Sequence, residues 1–352
     1  KKKGPIKENY DNHTIYHMPV IARGSGNSLN FFLNYLTFLL SSIYFGTKYI
    51  KNQKFDVIFV YNTSPITQIL VGYYFKKIFK VKLVSWIQDI WPESVSATNH
   101  IKENFLFNIF RKFCHYIYNY NDILILQSNN FFKYFKKYKI NIKKIYIPNS
   151  ANIHLIKKKN EQYKLKKKFK YNFVYAGNIG QAQDFKNFEI FLNKLYKKKK
   201  NIKFHLIGSG SYKKQLIKNI RKKKLKNIEI YPYVKNKYLY NYLGEADVLF
   251  ISLKNNYIFN LTIPSKLQNY LYCKKPILAW ANGSTKEIIL KANCGIAVKP
   301  GNINDLVKGV LKLSNKQYLK KLGYNSKIFY KKNYELKSVK AKLLKTLNNL
   351  TS

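Results

Sequence analysis

Short apolar runs alternate with helix-length segments along most of this chain. Phe55 to Tyr61, FDVIFVY, is bounded by polar residues and reads as a buried parallel strand. A helical pattern follows from Thr67 to Phe79, then strand Val81 to Ile87 and the loop Gln88 to Ser94, QDIWPES. An aromatic helix covers Phe105 to Tyr118, Asp122 to Leu126 is a strand, and Asn129 to Tyr138 is helical. Lys144 to Ile147 is extended and stops at Pro148-Asn149. Residues 154–170 are dense in Lys and poor in branched apolar residues, as expected of a linker. A second series begins at strand Tyr171 to Tyr175 and loop 176–180, AGNIG. It continues with helix Phe185 to Tyr196, strand Ile202 to Ile207 and loop 208–210, GSG. Further strands fall at Ile228 to Tyr231, Asp247 to Ile251, Pro276 to Trp280 and Cys294 to Val298, and the tail from Asn304 is helical. Such alternation predicts an α/β fold of two doubly wound, Rossmann-like domains facing each other across a cleft. The expected bounds are 1–153, linker 154–170, 171–330, and a C-terminal helix at 331–352 that packs back on the first domain.

The segment before Phe55 breaks this rhythm. The chain opens on Lys1 in a polar stretch that predicts no strand, so an N-terminal piece is expected to be missing. Leu29 to Phe45 has polar Asn30, Asn34, Thr37 and Ser41 at helical spacing, which makes an amphipathic helix with a wide apolar face. It reads first as a core helix, with a helix lying in a membrane interface as the alternative. No uninterrupted apolar run reaches membrane-spanning length.

Composition changes the picture in one respect. The 352 residues are 46% hydrophobic, enough for real cores, yet carry a net charge of +49. Only three basic residues are Arg (Arg23, Arg111, Arg221), so the bidentate fork suited to phosphate recognition is scarce. Lys, Asn, Ile, Tyr and Phe all use AT-rich codons, and Lys is spread over both halves, so much of the charge reflects composition. No nucleic-acid partner is expected, although a basic binding protein for nucleic acid or anionic lipid is the competing class. Cys114, Cys273 and Cys294 are widely spaced, without the pattern of a disulfide framework. His13 and His17 form no zinc-type cluster with the other histidines, and no metal is expected.

Ligands of open α/β sheets bind at the C-terminal strand ends. AGNIG and GSG each follow a strand and precede a helix, where glycines let backbone N–H groups approach a phosphate. Neither is a GxGxxG or Walker A motif, so NAD and P-loop readings are excluded. Pro264-Ser265 starts a helix, which places Lys266 in the first turn, against the helix dipole. A bound anion is one reason for a Lys there. Asp89 follows strand 81–87 and is placed to accept or orient a hydroxyl proton, or to cap the following turn. Glu93 is a second candidate of the same kind. Trp91 reads as a core residue, with a hydrophobic wall for a sugar or lipid as the alternative.

Several segments together resemble family 4 of the retaining GT-B glycosyltransferases, in the subgroup that assembles bacterial surface polysaccharides. QDIWPES is similar to that subgroup's DLWPES at Asp89, Trp91, Pro92, Glu93 and Ser94. IPNS (147–150), YAGNIG (175–180), IGSGSYKKQL (207–216), EADVLFISL (245–253), IPSKLQNYLYCKKPILA (263–279) and ANCGIAVKPGN (292–302) resemble its further motifs in order and spacing. The resemblance implies that the second domain holds a nucleotide-diphospho-sugar, of UDP-N-acetyl-hexosamine type. Its diphosphate would lie on the amides of Gly177 to Gly180, including Asn178, with the Gly208 loop beside it and Lys266 as cation. Tyr233 and Val234 would meet the base, with a core role the alternative for Tyr233. The family's pair of Glu residues falls on Leu261 and Asn269; Asn269 would hydrogen-bond ribose, and an inactive member is the further alternative. Asp89 and Glu93 would serve the acceptor, a saccharide or polyprenyl-linked saccharide of polysaccharide or O-antigen assembly. The implied chemistry is metal-free transfer with retention, without cofactor. It would occur in the cytoplasm, peripheral on the inner face of the membrane, with anionic lipid as a partner. Members open with a strand, a Gly-rich loop and a helix ahead of the region seen here.

Overall fold

The computed structural model describes residues 5–24, 28–97, 103–151, 162–166 and 169–351. The chain divides into two compact units: Lys1–Gln127, Phe131–Ile147 and Leu343–Ser352 form one, Ser128–Asn130 and Pro148–Lys342 the other.

The first unit opens with an antiparallel hairpin, β1 (Ile6–Tyr10) and β2 (His13–His17), where a structureless stretch was expected. Both faces of the hairpin lie largely in solvent, so no apolar alternation marks it. Cross-strand contacts hold it instead: Tyr10 stacks on His13 at 4.8 Å and His17 faces Glu8 at 3.4 Å. Helix α1 (Ser28–Ile50) then leads to β3 (Val57–Asn62), α2 (Thr67–Phe79), β4 (Lys82–Ile87), the short α3 (Glu93–Ser96), α4 (Phe105–Tyr118), β5 (Ile123–Leu126), α5 (Phe131–Lys137) and β6 (Lys143–Tyr146). The four strands β3-β4-β5-β6 are parallel and in sequence order. Their near-continuous apolar runs are what a sheet covered by helices requires.

Helix α1 is not the core helix that its composition suggests. Only 11% of its apolar window is buried. Its buried positions are the small residues Ser42 and Gly46, and the ring of Phe75 fills the space where Gly46 would carry a Cβ. Leu29, Phe32, Leu36, Leu40 and Tyr44 point the other way, while Leu33, Tyr35, Phe38 and Leu39 are half-buried.

The second unit contains β7 (Tyr171–Ala176), α6 (Phe185–Lys198), β8 (Ile202–Ile207), α7 (Lys213–Lys222), β9 (Ile228–Tyr231), α8 (Asn236–Glu245), β10 (Val248–Ser252), α9 (Tyr257–Leu261) and α10 (Ser265–Tyr272). It continues with β11 (Ile277–Trp280), α11 (Gly283–Lys291), β12 (Gly295–Val298), α12 (Ile303–Lys312) and α13 (Lys316–Tyr334); α14 (Leu336–Thr351) begins in this unit, and its residues from Leu343 on belong to the first. The strands of the second unit run parallel in the order β12-β11-β10-β7-β8-β9. The order reverses at β7, so a topological switch point lies between β7 and β10. One sheet face packs Phe173, Phe204 and Phe250 against Phe188 and Phe191 of α6; the other packs Val174, Leu249 and Ile277 against Leu243, Leu267 and Tyr270. Of the expected linker, residues 162–166 lie on this unit. Leu165 is buried, its N–H donates to Glu245, and that of Lys166 donates to the Tyr231 hydroxyl. The remainder of the linker, apart from 169–170, falls outside the described residues.

Candidate active site

The site in the second unit is built where β7 and β8 end. Two consecutive loops, 176–180 and 208–210, are stitched together. Gly177 N–H donates to Ile207 O at 2.9 Å, and Ile179 N–H donates to Ser209 O at 2.8 Å. A Cβ on Gly208 would stand 2.0 Å from Gly177 O, and its φ of +151° is itself unfavourable to an L side chain. Close approach of the two backbones, rather than approach of a phosphate, therefore accounts for glycine at 208.

That stitching revises one expectation. The amides of 177–180 do not form an open anion cradle. Gly177 and Ile179 are engaged as above, and Gly180 N–H donates to Gln183 Oε1 at 3.1 Å. Among the described residues, the amide of Asn178 is the one of the four with no hydrogen-bond acceptor. The burden of meeting an anion therefore shifts to a side chain.

Lys266 is that side chain. Pro264 occupies the N-cap position of α10 in extended conformation, and no side chain caps the helix, so Ser265 is helical rather than capping. Lys266 follows in the first turn and is half-buried. Its ammonium donates to the Tyr175 hydroxyl at 2.8 Å and lies 4.1 Å from that ring's centroid. No carboxylate pairs with it among the described residues. Burial without a counter-ion pulls the ammonium down to about 7. Gly177, at φ +139°, leaves the adjoining space open: a Cβ there would stand 3.1 Å from Lys266 Nζ. The Tyr175 hydroxyl in turn donates to Asn178 O at 2.5 Å, which joins the lysine to the loop.

Beside these groups lies a cavity of about 210 Å³ lined by Gly177, Asn178, Gly208, Ser209, Tyr233 and Val234 among others. Five of the sequence-selected residues thus share one wall. Tyr233 is 64% exposed, so it is not a core tyrosine, and its ring is available for stacking. Val234 is buried beneath it. Lys213 supports the floor: its ammonium donates to Gly208 O at 2.6 Å and Tyr231 O at 2.7 Å. Gly180, Lys266 and Asn269 are not among the cavity's lining; Lys266 adjoins it through Gly177. Asn269 Oδ1 instead accepts from the Tyr240 hydroxyl at 2.9 Å, on the α8 side of α10. Leu261, at the other position where the resemblance would place an acidic residue, is buried.

In the first unit, Asp89 and Glu93 occupy different environments. Asp89 is half-buried just beyond β4, with no hydrogen-bond donor among the described residues, so it does not cap the turn. Desolvation raises its carboxyl to about 6. Its negative charge, after burial, adds to the upward shift of the Tyr61 hydroxyl. Glu93 is buried and fully occupied. Oε1 accepts from Arg111 Nε at 2.6 Å and Oε2 accepts from the Tyr134 hydroxyl at 2.5 Å. Its expected part in acceptor chemistry gives way to a structural one, pinning the QDIWPES loop onto α4 and α5. Trp91 is buried between Tyr35 of α1 and Phe110 of α4, and its N–H donates to the Tyr118 hydroxyl at 2.9 Å. No group of three or more His, Cys, Asp or Glu is placed to hold a metal among the described residues.

Tyr175, Lys213 and Ser209 went unrecognised in the sequence. Tyr175 reads as an ordinary strand residue, and Lys213 is one lysine among many.

The architecture is the GT-B one, two Rossmann-like α/β units with parallel sheets. Residues 156–329 match the family model described as glycosyl transferases group 1. An uncharacterized glycosyltransferase of Methanocaldococcus jannaschii is 26% identical over 230 residues, 60% of this chain and 62% of that relative. The match thus spans less than two thirds of the relative's length. Sucrose-phosphate synthase from Thermosynechococcus elongatus superposes with a TM-score of 0.74 at 13% identity, covering 99% of this chain and 86% of that one. Anabaena HepE in complex with UDP-glucose gives 0.66 at 14% identity, covering 90% and 82%. Staphylococcus aureus TarM, in complex with UDP and alpha-GlcNAc-glycerol, gives 0.63 at 17% identity, covering 88% and 59%. The matched domain and the shared fold together support a glycosyltransferase.

Proposed function

We propose that this chain transfers a sugar from a nucleotide-diphospho-sugar to a saccharide acceptor. One observation carries the reading: the Lys266 ammonium, without a carboxylate partner among the described residues, stands beside Gly177, which lines the adjoining cavity. An uncompensated, partly desolvated cation beside a small cavity is complementary to a diphosphate with a base attached. In this reading the base enters against Tyr233 and Val234, and the Asn178 amide and Lys266 meet the diphosphate. As the bond to the anomeric carbon breaks, negative charge grows on the leaving diphosphate, and Lys266 stabilises it. The second part of the chain also carries the larger electrostatic excess. Residues 148–352 hold 44 basic and 9 acidic side chains, against 21 and 7 in residues 1–147, which favours capture of an anionic donor.

Asp89 is the residue assigned to the acceptor. A carboxylate with no competing donor accepts or orients the acceptor hydroxyl's proton. The finer assignments are a uridine donor of UDP-N-acetyl-hexosamine type, retention at the anomeric carbon, and a lipid-linked saccharide acceptor in polysaccharide assembly. These rest on the family resemblance and on neighbours that bind UDP or UDP-glucose. The chemistry proposed is metal-free and cytoplasmic.

A thermal-shift series with UDP, GDP, ADP and CMP tests the donor site. UDP is expected to raise the melting temperature, and Lys266→Ala to abolish the rise. The donor-site assignment fails if none of the four nucleotides shifts the transition.

A further inference from the structure

Lysines that reach inward in this protein are held by negative charge. Lys76 donates to Asp122 at 2.7 Å and Lys203 to Glu229 at 2.9 Å. Lys144 and Lys213, without an acid, each donate to two backbone carbonyls. Lys266 differs from all four. Its one acceptor among the described residues is the Tyr175 hydroxyl, a neutral group. That hydroxyl spends its own proton on Asn178 O, so it does not occupy the lone pair of the amine. Burial pulls the ammonium down to about 7. The positive end of α10, which no side chain caps, acts in the same direction. An ordinary lysine amine is neutral in only about 0.1% of molecules at about pH 7.5. Lys266 is neutral in a large share of them.

A neutral amine is a nucleophile, and this one can be reached. Gly177 presents no side chain toward it: a Cβ there would stand 3.1 Å from Nζ, and Gly177 lines the cavity of about 210 Å³. The same loop offers the Asn178 amide, which has no hydrogen-bond acceptor among the described residues. An amine with a free lone pair beside an amide that can receive an anion selects one kind of reagent: an electrophile that carries its own anionic leaving group. An acyl phosphate has that form. A neutral acylating agent brings nothing for the amide, and a simple phosphate brings no electrophilic carbon.

We propose that Lys266 is a modification site, acylated on Nζ by acyl phosphates. The Nζ lone pair forms the bond to the carbonyl carbon. The bond from that carbon to the phosphate oxygen breaks, its electron pair leaves with phosphate, and one amine proton passes to the departing phosphate. The product is a neutral amide, so the cation beside Gly177 is lost. In the proposed function this switches the donor site off. The modification shares with that function the reception of an anion beside Gly177, and nothing of sugar transfer.

Incubation of the whole chain with acetyl phosphate at about pH 7.5, followed by peptide mass mapping, tests the assignment. Lys266 is expected to gain the acetyl group at least about tenfold faster than Lys286 and Lys316, which are exposed. The lead should narrow as the pH approaches about 10, where ordinary lysines also lose their protons. It should vanish in urea, and it should be smaller with acetic anhydride, which brings no anion. After exposure to acetyl phosphate the native chain should lose its UDP-induced stabilisation, while Lys266→Arg, which keeps the charge and lacks the amine, should retain it. A Lys266 that reacts no faster than Lys286 and Lys316, a lead that survives urea, or an equal lead with acetic anhydride overturns the proposal. Preferential labelling of Lys266 in a chain that UDP never stabilises upholds the modification site and counts against the donor reading alone.

Discussion

Lys266 Nζ and the Tyr175 hydroxyl are 2.8 Å apart, and that hydrogen bond is the one polar contact of the ammonium among the described residues. The phenol cannot neutralise the charge, because burial holds its own proton on well above the usual range. It orients the ammonium and ties it to the Asn178 carbonyl. Two residues 91 positions apart, on either side of the switch point, are thereby joined in the group that the proposed function assigns to the diphosphate.

Tyr175→Phe should separate orientation from charge. The ring stays in the core, and one hydrogen bond worth about 1 kcal/mol is removed. UDP affinity is expected to fall roughly fivefold, against a much larger loss for Lys266→Ala. Calorimetric titration of the two variants checks the order; equal losses would mean that Tyr175 shapes the loop rather than the lysine.

The pH profile of kcat/KM should be narrow. Asp89, raised to about 6, holds its proton below that pH and cannot accept another. Lys266, lowered to about 7, loses its positive charge as pH rises through that value in the free protein. Activity is therefore expected to peak between the two and fall on both sides. Lys266→Arg should flatten the alkaline limb, since a guanidinium does not titrate there. An alkaline limb unchanged in that variant would assign it to another group.

Asp89→Asn removes the carboxylate proposed as the acceptor-side base without emptying its place. Transfer is expected to drop by a factor of about 10²–10⁴, while the thermal shift with UDP stays as in the native chain. A variant that transfers at the native rate would remove Asp89 from the mechanism.

Glu93 should behave as a structural residue. Replacing it by Ala removes the acceptor of the half-buried Arg111 guanidinium and of the Tyr134 hydroxyl, leaving Arg111 with Asn108 and the exposed Glu103, at a cost of about 1.5–3 kcal/mol. Denaturant unfolding followed through the tryptophans of the first unit should show that loss, and Arg111→Ala should show a similar one. The UDP-induced shift, which belongs to the second unit, should persist in both.

Gly208→Ala tests the stitched loops. The added methyl would sit 2.0 Å from Gly177 O at an unfavourable φ, with an expected cost of about 2–4 kcal/mol and weaker UDP binding. Full stability and affinity in this variant would show that the two loops part easily.

Much of this architecture was legible because the strands are buried on both faces. Runs such as FVYA before Gly177 and VLFIS before Leu253 admit few other readings, and glycine after a strand marked both loops. Tyr233 and Val234 were singled out through the family resemblance, and they line one cavity with Gly177 and Gly208. The hairpin at Ile6–His17 stayed hidden because neither of its faces forms a core. The reading of α1 as a core helix failed because periodicity locates an apolar face without saying what covers it; Ser42 and Gly46 could not announce that they, and not the leucines, face inward. Glu93 and Asp89 looked alike four residues apart, and only the positions of Arg111 and Tyr134, remote in sequence, separate them. The amides of 177–180 were assigned to an anion because sequence does not reveal that a neighbouring loop already holds them.

The joining of loop 176–180 to loop 208–210 also limits how this site can be altered. Specificity in such folds is commonly retuned by exchanging one strand-end loop at a time. Here, a graft at 208–210 that shifts Ser209 O would release the Ile179 amide and leave Gly177 O without the clearance that Gly208 provides. The two loops form a single cassette, and any redesign of the proposed donor site has to exchange both segments together.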